Sequence, residues 1–548
     1  MQSVSEARLS YKPTLPEGLT LQNFKLTEGA PTTAVADADE IAKEFPNTYG
    51  QKILTIEADN SPAPERPAVK IGVILSGGQA PGGHNVITGL YDRLKQINKD
   101  STVIGFLMGP DGLIKNEYMT LTDEVIDAYR NQGGFHMIQS GRTKIAKEDQ
   151  FKAVINTVTA HELDGLVVIG GDDSNTNAAV LAERFAAEGL KTKVIGCPKT
   201  IDGDLKSLDA GLEVSFGFDS ACKVYSELIG NIMMDCLSAR KYYHLVRLMG
   251  RSASHIALEC ALETRPNACL IGEEVAEKNM TTQEIVNQLA DIICDRANQG
   301  KNYGVFLVPE GLLEFIPEFT QLMESLSTIM GLAQEKGTLP AQVTPEWIKN
   351  QLSGDAKQLE AFEFLPKIIQ EQLCLERDPH GNIQVSRIET EKFLVVLLEE
   401  ELARRKAAGN YSGKFNALTH FFGYEGRAVN PSNFDAKYCY ALGQVAGILI
   451  SQNKTGYLAV VNNVAKPTEQ WEARGLPITS LFNMEVRHGH KVPVIQKYLV
   501  DLNGKPYQYF VSKRAEWAHG DCFENPGPIQ YWGPCSERVN ESCMLEAQ

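Results

Sequence analysis

The sequence predicts an α/β protein built around parallel β-sheet, and three observations lead to this fold class. An apolar run at Val69–Leu75 ends at a glycine-rich turn and is followed by a helical pattern over about residues 84–97. The arrangement repeats at Leu163–Ile169, where a second glycine-rich turn precedes an alanine-rich helix that ends near residue 189. Short apolar runs continue to alternate with amphipathic segments downstream, which is typical of βαβ units and therefore of parallel sheets.

The remaining elements follow this alternation except in one long segment. We expect further strands at Lys193–Gly196, Tyr243–Met249, Tyr303–Val308 and about 457–461. We expect further helices near residues 219–237, 252–263, 283–299 and 436–453. Between about residues 315 and 409 the pattern is mainly helical and predicts an inserted helical subdomain. Residues 1–68 end in a proline-rich stretch that we interpret as a linker, and the pattern leaves open whether they form an ordered extension or an arm. About the last 60 residues, with Trp517 and Trp532, are expected to form an irregular tail.

Composition and charge exclude several classes of protein. The 548 residues are 43% apolar and 22% charged, and the longest uninterrupted apolar run, Phe393–Leu398, is too short for a membrane span of ~18–20 residues. With 53 Lys plus Arg against 69 Asp plus Glu, the formal charge is −16, so nucleic acid and anionic membranes are not expected partners. The first 30 residues lack an apolar stretch, which argues against a secretory signal. The 11 scattered cysteines form no CxxC pair, so we expect reduced thiols and a soluble, cytoplasmic protein.

The first glycine-rich turn is SGGQAPGG at residues 76–83. After a strand, glycines let the backbone approach a ligand closely, and the following helix N-terminus offers free N–H groups and a partial positive charge. These features predict a phosphate site. The turn is neither a Walker loop nor a GxGxxG fingerprint, so a simple tight connection explains it equally well.

The second turn, Gly170-Gly171-Asp172-Asp173, carries two adjacent carboxylates where a helix N-terminus favours an anion. A divalent cation between protein and phosphate explains both, because Mg²⁺ prefers one or two carboxylates together with phosphate oxygens and water. The alternative is that one of them caps the following helix. Capping needs only one carboxylate, so the pair favours the metal.

The third segment, CPKTIDGD at residues 197–204, follows a predicted strand and is dense in charge. In phosphoryl transfer one carboxylate accepts the proton of the attacking hydroxyl, and a lysine such as Lys199 neutralises the transferring oxygens. A purely structural turn is the alternative.

Several cations and one further acid occupy the ends of predicted strands. Met249–Arg251 and Gly423–Arg427 each place an arginine beside a glycine at a strand end, where α/β sites form, and Glu310 follows its strand in the same way. The other local groups of cations are Arg142 with Lys144, and Lys241 with Arg247. Four histidines without paired ligand spacing are interpreted as core or surface residues: His84, His136, His244 and His255.

Six segments, in this order, resemble the phosphofructokinases: SGGQAPGGHN, IGGDDSNTN, PKTIDGD, LMGRSASH, PEGLLE and GYEGR. The similarity spans about residues 69–462 and is strongest to the long, pyrophosphate-dependent branch of that family. It implies a phosphofructokinase-like α/β fold with two doubly wound, mostly parallel sheet domains and an inserted helical subdomain. It also implies reversible transfer of a phosphoryl group from pyrophosphate to the 1-hydroxyl of fructose 6-phosphate, giving fructose 1,6-bisphosphate and phosphate in glycolysis and gluconeogenesis.

The resemblance divides the chain into five segments. In order, they are an N-terminal extension (1–68), a pyrophosphate- and Mg²⁺-binding domain (69–210), the first part of a fructose-6-phosphate-binding domain (211–314), the helical insertion (315–415), and a resumed α/β segment with the C-terminal tail (416–548).

The resemblance assigns the donor and the chemistry mainly to the first three motifs. Gly78 would lie against pyrophosphate and Asp172 would hold Mg²⁺. Asp202 would be the base that takes the proton from the 1-hydroxyl, with Asp204 as a supporting acid. The metal and Arg142, Lys199 and Arg251 would stabilise the negative charge on the transferring phosphoryl group. The transfer would be direct, without a phosphoenzyme.

The other motifs would bind the sugar phosphate. The residues implied on the sugar are Thr200, Ile201, Asp202, Met249, Gly250, Arg251 and Glu310, and those on its 6-phosphate are Tyr424, Glu425, Gly426 and Arg427. Lys241 and Tyr242 match a stretch that reaches into the neighbouring subunit's site, which implies at least a homodimer. Tyr242 departs from the ATP-using branch, which usually has an arginine there.

Two positions are expected to decide the phosphoryl donor. The ATP-using relatives of the bacterial type carry glycine where this chain has Asp173 and Lys199. The carboxylate of Asp173 would exclude the α-phosphate and adenosine of ATP by clash and repulsion. The ammonium of Lys199 would suit the end of pyrophosphate, which has no nucleoside to anchor it.

Three alternatives stay open at this point. An ATP-dependent 6-phosphofructokinase is disfavoured by the residues at 173 and 199. A non-catalytic regulatory subunit of the same fold would be expected to lose the acids Asp172, Asp202 and Asp204, all of which are present. A lipid or NAD kinase would share a GGDG-like turn but would not explain the other motifs. No residue set indicates an allosteric effector site.

Overall fold

The computed structural model describes residues 2–374, 387–487 and 490–548. The chain divides into two compact units, each assembled from distant segments. Unit 1 comprises Met1–Ala221, Glu425–Tyr498 and Gln530–Val539, and unit 2 comprises Cys222–Tyr424, Leu499–Ile529 and Asn540–Gln548. Residues 375–386 of the predicted helical insertion lie outside the described residues.

The strands and helices alternate through most of the chain. The strands are β1 (Phe24–Pro31), β2 (Lys52–Ala58), β3 (Lys70–Leu75), β4 (Thr102–Phe106), β5 (Tyr118–Leu121), β6 (Gly165–Gly170), β7 (Lys193–Thr200), β8 (Phe216–Gly217), β9 (Tyr243–Leu248), β10 (Ala268–Cys269), β11 (Gly304–Pro309), β12 (Ala417–Phe422), β13 (Tyr457–Asn462), β14 (Glu472–Pro477), β15 (Phe482–Arg487) and β16 (His490–Ile495). The helices are α1 (Val4–Arg8), α2 (Ala38–Glu44), α3 (Gly83–Ile97), α4 (Pro110–Lys115), α5 (Asp123–Tyr129), α6 (Glu148–Ala160), α7 (Asp172–Ala187), α8 (Phe218–Ala239), α9 (His255–Thr264), α10 (Gly272–Glu277), α11 (Thr282–Asn298), α12 (Leu312–Phe315), α13 (Pro317–Glu335), α14 (Pro345–Leu352), α15 (Ala356–Phe364), α16 (Lys367–Leu373), α17 (Thr390–Ala407), α18 (Asn433–Ser451), α19 (Lys505–His519) and α20 (Glu541–Ala547).

A ten-stranded sheet forms the centre of unit 1. Its order is β1-β2-β14-β13-β7-β6-β3-β4-β5, with β8 paired to β7. The inner strands β13, β7, β6, β3 and β4 pair in parallel, and antiparallel strands flank them at both ends. Strands β6 and β13 are buried along their whole length, as expected for parallel strands covered on both faces. The predicted parallel α/β architecture is confirmed.

Residues 2–68 are an ordered part of unit 1. Strands β1 and β2 pair antiparallel, and β2 joins the large sheet because its Thr55 lies opposite Arg474 of β14. Most of β1 is exposed beyond its first residue. Its apolar pattern is therefore weak, which explains why the sequence did not decide between an extension and an arm.

Unit 2 contains a smaller parallel sheet with the order β10-β11-β9-β12. Helices α13–α17 confirm the mainly helical character predicted after residue 315, within the described residues. Their apolar side chains share one hydrophobic core with the sheet: Leu245 and Phe306 come from strands, and Phe319, Phe362 and Phe393 come from helices.

The irregular tail predicted for the C-terminal residues is wrong in two places. Helices α19 and α20 occupy part of that segment. Pro506 lies in the first turn of α19, where a missing N–H costs nothing, and Tyr507, Phe510 and Trp517 are buried along the helix. The proline and glycine content concealed this helical spacing.

Two further features concern the cysteines and the character of the helices. All eleven cysteines are free, as their scattered spacing predicts. Across the described ranges, no helix has both the length and the apolar character that crossing a bilayer requires.

Candidate active site

In unit 1, three adjacent parallel strands bring the first three motifs together. Strands β7, β6 and β3 are neighbours in the sheet. The turn at residues 76–83 follows β3, Gly171–Asp173 follow β6, and Lys199 and Thr200 end β7. The carboxyl ends of parallel strands lie at one edge, which is where α/β proteins bind ligands.

The first turn is tied by hydrogen bonds to β6, to Gly141 and to the helix that follows the second turn. The Ser76 N–H donates to the Ile169 carbonyl (2.8 Å), and the Gly77 N–H donates to the Gly141 carbonyl (2.9 Å). The Ser174 hydroxyl donates to the Ser76 hydroxyl (2.9 Å). Gly77 has a φ of +88°, a left-handed conformation that favours glycine.

A buried amide fixes the second turn to β7. The Asn175 side chain donates to the carbonyls of Gly170 (2.6 Å), Gly171 (2.9 Å) and Cys197 (3.3 Å). Sequence reasoning missed this role of Asn175 and the Ser174 hydroxyl bond. The signal that could have found them is the uninterrupted polar run DDSN at the start of a predicted helix.

Asp172 and Asp173 are the first two residues of α7. The N-cap of that helix is Gly171, and no side chain caps it. Neither carboxylate therefore takes the N-cap role that was the alternative interpretation. Both side chains are half-buried at the carboxyl end of β6.

The ammonium of Lys199 lies between the two glycine turns. A Cβ built on Gly77 would lie 3.6 Å from Lys199 Nζ, and one built on Gly171 would lie 3.8 Å from it. The side chain is buried, with the residue 8% exposed. Burial and repulsion from Arg427 lower the pKa of Lys199 to about 8, although Asp202 and Asp172 oppose the shift. An anion bound here would restore the stability of the charged form.

Two guanidinium groups converge on the same turn. A Cβ on Gly78 would overlap Arg427 Nη2 and would lie 3.3 Å from Arg142 Nη2. Arg427 Nε donates to the Gln79 carbonyl (3.4 Å). Together with Lys199, these arginines form a concentrated cationic site in a chain of net charge −16. Arg427 was expected on the sugar 6-phosphate, and in the structure its guanidinium lies at the first glycine turn.

The segment after β7 positions the proposed base. The Asp202 N–H donates to the Thr200 hydroxyl (3.0 Å), Gly203 has a φ of +77°, and the Asp204 carbonyl accepts from the Tyr498 N–H (2.9 Å). Ile201 and Asp204 are buried, whereas Asp202 is half-buried. The charge of Asp202 attracts the ammonium of Lys199.

In unit 2, the LMGRSASH and PEGLLE motifs are held together at the carboxyl edge of the smaller sheet. Met249–Arg251 follow β9, and Glu310 follows the adjacent β11. The Gly250 N–H donates to the buried Glu310 carboxylate (3.1 Å), and the φ of Gly250 is +125°. A side chain on Gly311 would overlap the Arg251 carbonyl, so the two motifs pack backbone to backbone.

Other predicted residues have different surroundings. Lys241 is exposed, and its Nζ lies 5.2 Å from the centre of the Tyr242 ring. Tyr424 is 61% exposed, and Glu425 is also exposed, whereas Gly426 is buried.

Arg247, which the sequence grouped with Lys241, forms a buried ion pair. Its Nε lies 2.6 Å from a Glu391 carboxylate oxygen, and its guanidinium carbon lies 3.8 Å from the centre of the Phe421 ring. Burial raises the pKa of Glu391, and the charge of Arg247 opposes that shift. Sequence reasoning missed Glu391 because it lies far along the chain in the helical segment.

The histidines that the structure describes are not gathered in groups of three with other ligating side chains. Within the parts of the chain that the structure describes, no three His, Cys, Asp or Glu side chains gather to hold a metal ion. The buried His84 ring accepts from the Met137 N–H (3.0 Å) and bonds the Gln132 carbonyl through Nδ1 (2.7 Å). This is the core role that its isolated position predicts.

Comparison with known proteins gives the same family as the motifs. The family model for phosphofructokinase matches residues 70–355. Pyrophosphate--fructose 6-phosphate 1-phosphotransferase subunit beta of Solanum tuberosum is 52% identical over 99% of this chain and 94% of its own length. The pyrophosphate--fructose 6-phosphate 1-phosphotransferase of Porphyromonas gingivalis is 51% identical over 96% of this chain and 95% of its own length.

A solved structure agrees at the level of fold. The pyrophosphate-dependent phosphofructokinase of Nitrosospira multiformis superposes with a TM-score of 0.55 at 15% identity, covering 85% of this chain and 96% of that one. The family model covers more than half of the chain and the relatives match nearly all of it, and the chain therefore belongs to the phosphofructokinase family.

Proposed function

We propose that this protein transfers a phosphoryl group reversibly from inorganic pyrophosphate to the 1-hydroxyl of fructose 6-phosphate. The observation that carries the proposal is the convergence of Lys199, Arg142 and Arg427 on Gly77-Gly78. Three cations around an open glycine backbone suit a small, highly charged anion. The relatives at 46–52% identity that carry this activity in their names support the same reaction.

The choice of donor is assigned to Asp173 and to Lys199 of the cationic site. Asp173, at the start of α7, would place a carboxylate where a nucleotide continues beyond its terminal phosphates. That charge repels the α-phosphate of ATP, while pyrophosphate ends before it. The buried ammonium of Lys199 compensates for the nucleoside contacts that pyrophosphate lacks.

Asp202 is the group best suited to activate the sugar hydroxyl. Its backbone is fixed by the bond to Thr200, and its carboxylate is half-buried beside the cations. It would take the proton of the 1-hydroxyl as the oxygen attacks the phosphorus of pyrophosphate and the second phosphate leaves. Arg142 and Lys199 would hold the leaving and transferring oxygens, and Asp204 would support the turn.

Mg²⁺ would be held partly by the protein and partly by pyrophosphate and water. In the described residues no three ligating side chains gather, so a metal ion there would take most of its ligands from phosphate and water. Mg²⁺ commonly binds through one or two carboxylates, with phosphate oxygens and water completing its shell. Asp172 would provide that carboxylate. The ion, when bound with pyrophosphate, would neutralise charge on the phosphate oxygens.

The sugar phosphate is assigned to the remaining motifs. Met249, Gly250, Arg251, Glu310 and Tyr424 of unit 2 would bind the sugar phosphate. The hydrogen bond from Gly250 to Glu310 supports this assignment because it holds the loop in one conformation.

The protein is proposed to act as a homodimer in which Lys241 and Tyr242 complete the partner's site. Mixing two inactive variants, Asp202→Ala and Lys241→Ala, should regenerate one intact site in each mixed dimer and about a quarter of the wild-type activity. Light scattering checks that the variants are dimers, and co-purification of an untagged variant with a tagged one checks that they exchange subunits. A mixture that passes both checks and stays inactive would contradict a shared site.

A cytoplasmic location is also inferred, because free cysteines in this number suit a reducing compartment. Cell fractionation with an antibody against the protein tests it, and recovery with an oxidising compartment would reject it.

A donor assay tests the main proposal directly. Purified protein is supplied with fructose 6-phosphate and either pyrophosphate or ATP, with and without Mg²⁺, and fructose 1,6-bisphosphate is measured. We expect product with pyrophosphate and Mg²⁺, and the reverse reaction with phosphate. Efficient use of ATP without pyrophosphate activity would indicate the ATP-dependent enzyme, and inactivity with both donors would indicate a regulatory subunit.

A further inference from the structure

A fully buried arginine lies near the N-terminus of unit 1. Arg8, the last residue of α1, is 0% exposed. Its guanidinium is sandwiched between two tyrosine rings, with the guanidinium carbon 4.3 Å from the centre of the Tyr11 ring and 4.5 Å from that of Tyr531. The Asn131 side chain donates to the Arg8 carbonyl (3.0 Å), which fixes the backbone as well. A buried charge needs such partners.

The two ends of this guanidinium hold the segment that follows Arg427. Nη1 donates to the Asn433 side-chain oxygen (2.7 Å), and Nη2 donates to the Pro431 carbonyl (3.0 Å). The Tyr531 hydroxyl donates to the Asn430 carbonyl (3.0 Å). The loop from 428 to 433 is therefore anchored at Asn430, Pro431 and Asn433.

Ser432 of this loop is anchored by two further residues of unit 1. The Ser432 hydroxyl donates to the Asp219 carboxylate (2.6 Å), and the Ser432 N–H donates to the Ser220 hydroxyl (2.9 Å). The loop is therefore held by hydrogen bonds at each residue from 430 to 433.

The loop is connected to the first glycine turn through Gly133 and Gly134. The Gly133 N–H donates to the Asn430 side chain (3.1 Å), and the Gly133 carbonyl accepts from the Gly82 N–H (3.3 Å). A Cβ on Gly134 would lie 3.0 Å from the Arg427 carbonyl and 3.3 Å from the Ala80 carbonyl. The backbone of Arg427 and the turn at residues 76–83 are thus packed against the same two glycines.

We propose that Arg8 is a positioning residue for the active site: by holding the loop 428–433, it sets the place of the Arg427 guanidinium over Gly78. This rests on the proposed function, since it takes Arg427 as a ligand of the anionic substrate. It gives residues 2–11 a role in catalysis at a distance, through a chain of contacts that stays within unit 1.

Arginine suits this role better than lysine. The planar fork donates to two separate acceptors while both of its faces stack on aromatic rings. A lysine would keep the charge but would lose the second hydrogen bond and the stacking. Misplacing a substrate ligand by about 1 Å costs up to about 10²-fold in rate.

The test compares Arg8→Gln with Arg93→Gln in the full-length protein. Arg93 is also 0% exposed, and it also holds the N-terminal segment, through the carbonyls of Leu19 and Leu21, but it does not touch the 428–433 loop. Both variants should lose stability in urea. Only Arg8→Gln should lower kcat/KM with pyrophosphate and fructose 6-phosphate, by about 10- to 100-fold.

A double-mutant cycle separates positioning from general damage. If Arg8 acts through Arg427, Arg8→Gln should have almost no further effect on kcat/KM in an Arg427→Lys background, within about twofold. Additive losses, or equal kinetic losses in Arg8→Gln and Arg93→Gln, would overturn the inference. A wild-type protein without pyrophosphate-dependent turnover would instead overturn the proposed function.

A milder variant covers the case in which Arg8→Gln does not fold. Tyr531→Phe keeps the ring on Arg8 and removes only the hydroxyl bond to Asn430. We expect a fewfold loss of kcat/KM that also disappears in the Arg427→Lys background. Unchanged kinetics in Tyr531→Phe would count against the positioning role.

Discussion

The guanidinium of Arg427 lies over the α-carbon of Gly78, at the place where a side chain on that residue would begin. Only glycine allows this approach. The two residues are far apart in the sequence, yet the guanidinium of Arg427 contacts the backbone of the loop that contains Gly78. The absence of a side chain at 78 therefore places a positive charge at the proposed pyrophosphate site.

Replacing Gly78 with alanine should displace Arg427 and lower kcat/KM for pyrophosphate by about tenfold or more. The guanidinium ends a flexible side chain, so the free energy of unfolding should change by less than about 1 kcal/mol. Steady-state kinetics and urea unfolding measure both. Gly354→Ala is the control, because no heavy atom lies within 4 Å of a Cβ there. Wild-type kinetics in Gly78→Ala would show that the position of Arg427 is unimportant.

Replacing both Asp173 and Lys199 with glycine should raise the use of ATP and weaken the use of pyrophosphate. The change removes a charge that repels the α-phosphate and a cation that holds the end of pyrophosphate. The ratio of kcat/KM for the two donors is the measurement, with the single Asp173→Gly variant alongside. If the ratio in the double variant equals that of the wild type, donor selectivity resides in other residues.

The fall of kcat/KM for pyrophosphate at alkaline pH should follow the deprotonation of Lys199. Burial and nearby arginines lower the pKa of this group to about 8, so raising the pH through 8 removes its charge from the free enzyme. An anion binds the protonated form better, and kcat/KM for pyrophosphate should therefore fall by about tenfold per pH unit above that value. Arginine stays charged, so Lys199→Arg should lack this fall between pH 8 and 10. Lys144→Arg, at an exposed lysine, should keep it.

The lowered pKa of Lys199 should also affect stability: the free energy of unfolding should rise over the pH range in which activity falls. Between about pH 8 and the ordinary pKa of 10.5, the unfolded chain binds the Lys199 proton and the folded chain does not. Stability rises with pH wherever the unfolded state holds more protons. The contribution of Lys199 to the free energy of unfolding should therefore increase over this interval, and Lys199→Met should remove that increase in urea titrations at pH 8 and 10.

Removing the carboxylate of Asp202 should cut turnover by ~10²–10⁴ with little effect on folding, because general-base catalysis typically contributes that factor. Asp202→Ala and Asp202→Ser should behave alike, whereas Asp209→Ala, at an exposed aspartate in the same segment, should match the wild type. Full activity in Asp202→Ala would remove this residue from the mechanism.

Breaking the buried pair of Arg247 and Glu391 should destabilise unit 2. Arg247→Met leaves a carboxylate buried without its cation, at a cost of about 3–5 kcal/mol in the free energy of unfolding. The double variant Arg247→Met with Glu391→Met removes both charges and should recover much of that loss. Equal stability of the single and double variants in urea would contradict this account.

Much of the site could be read from local patterns. Apolar runs that end at Gly77, Gly170 and Gly196 predict parallel strands, and α/β proteins bind ligands at strand ends. The strand-end positions of the motifs therefore mark their residues as candidates without any knowledge of the strand order. The C-terminal helix at 505–519 was missed because proline and glycine nearby outweighed its three buried aromatic residues.

The sequence by itself determined the α/β class, the strand-end motifs and the family, because local periodicity and turn chemistry are encoded within a few residues. Only the tertiary structure decided that Lys199 is buried between two turns, that Arg247 pairs with Glu391, and that Arg8 holds the loop after Arg427. These contacts join residues distant in sequence, and the order of strands and the packing of their loops bring them together. Local patterns carry no record of such partners.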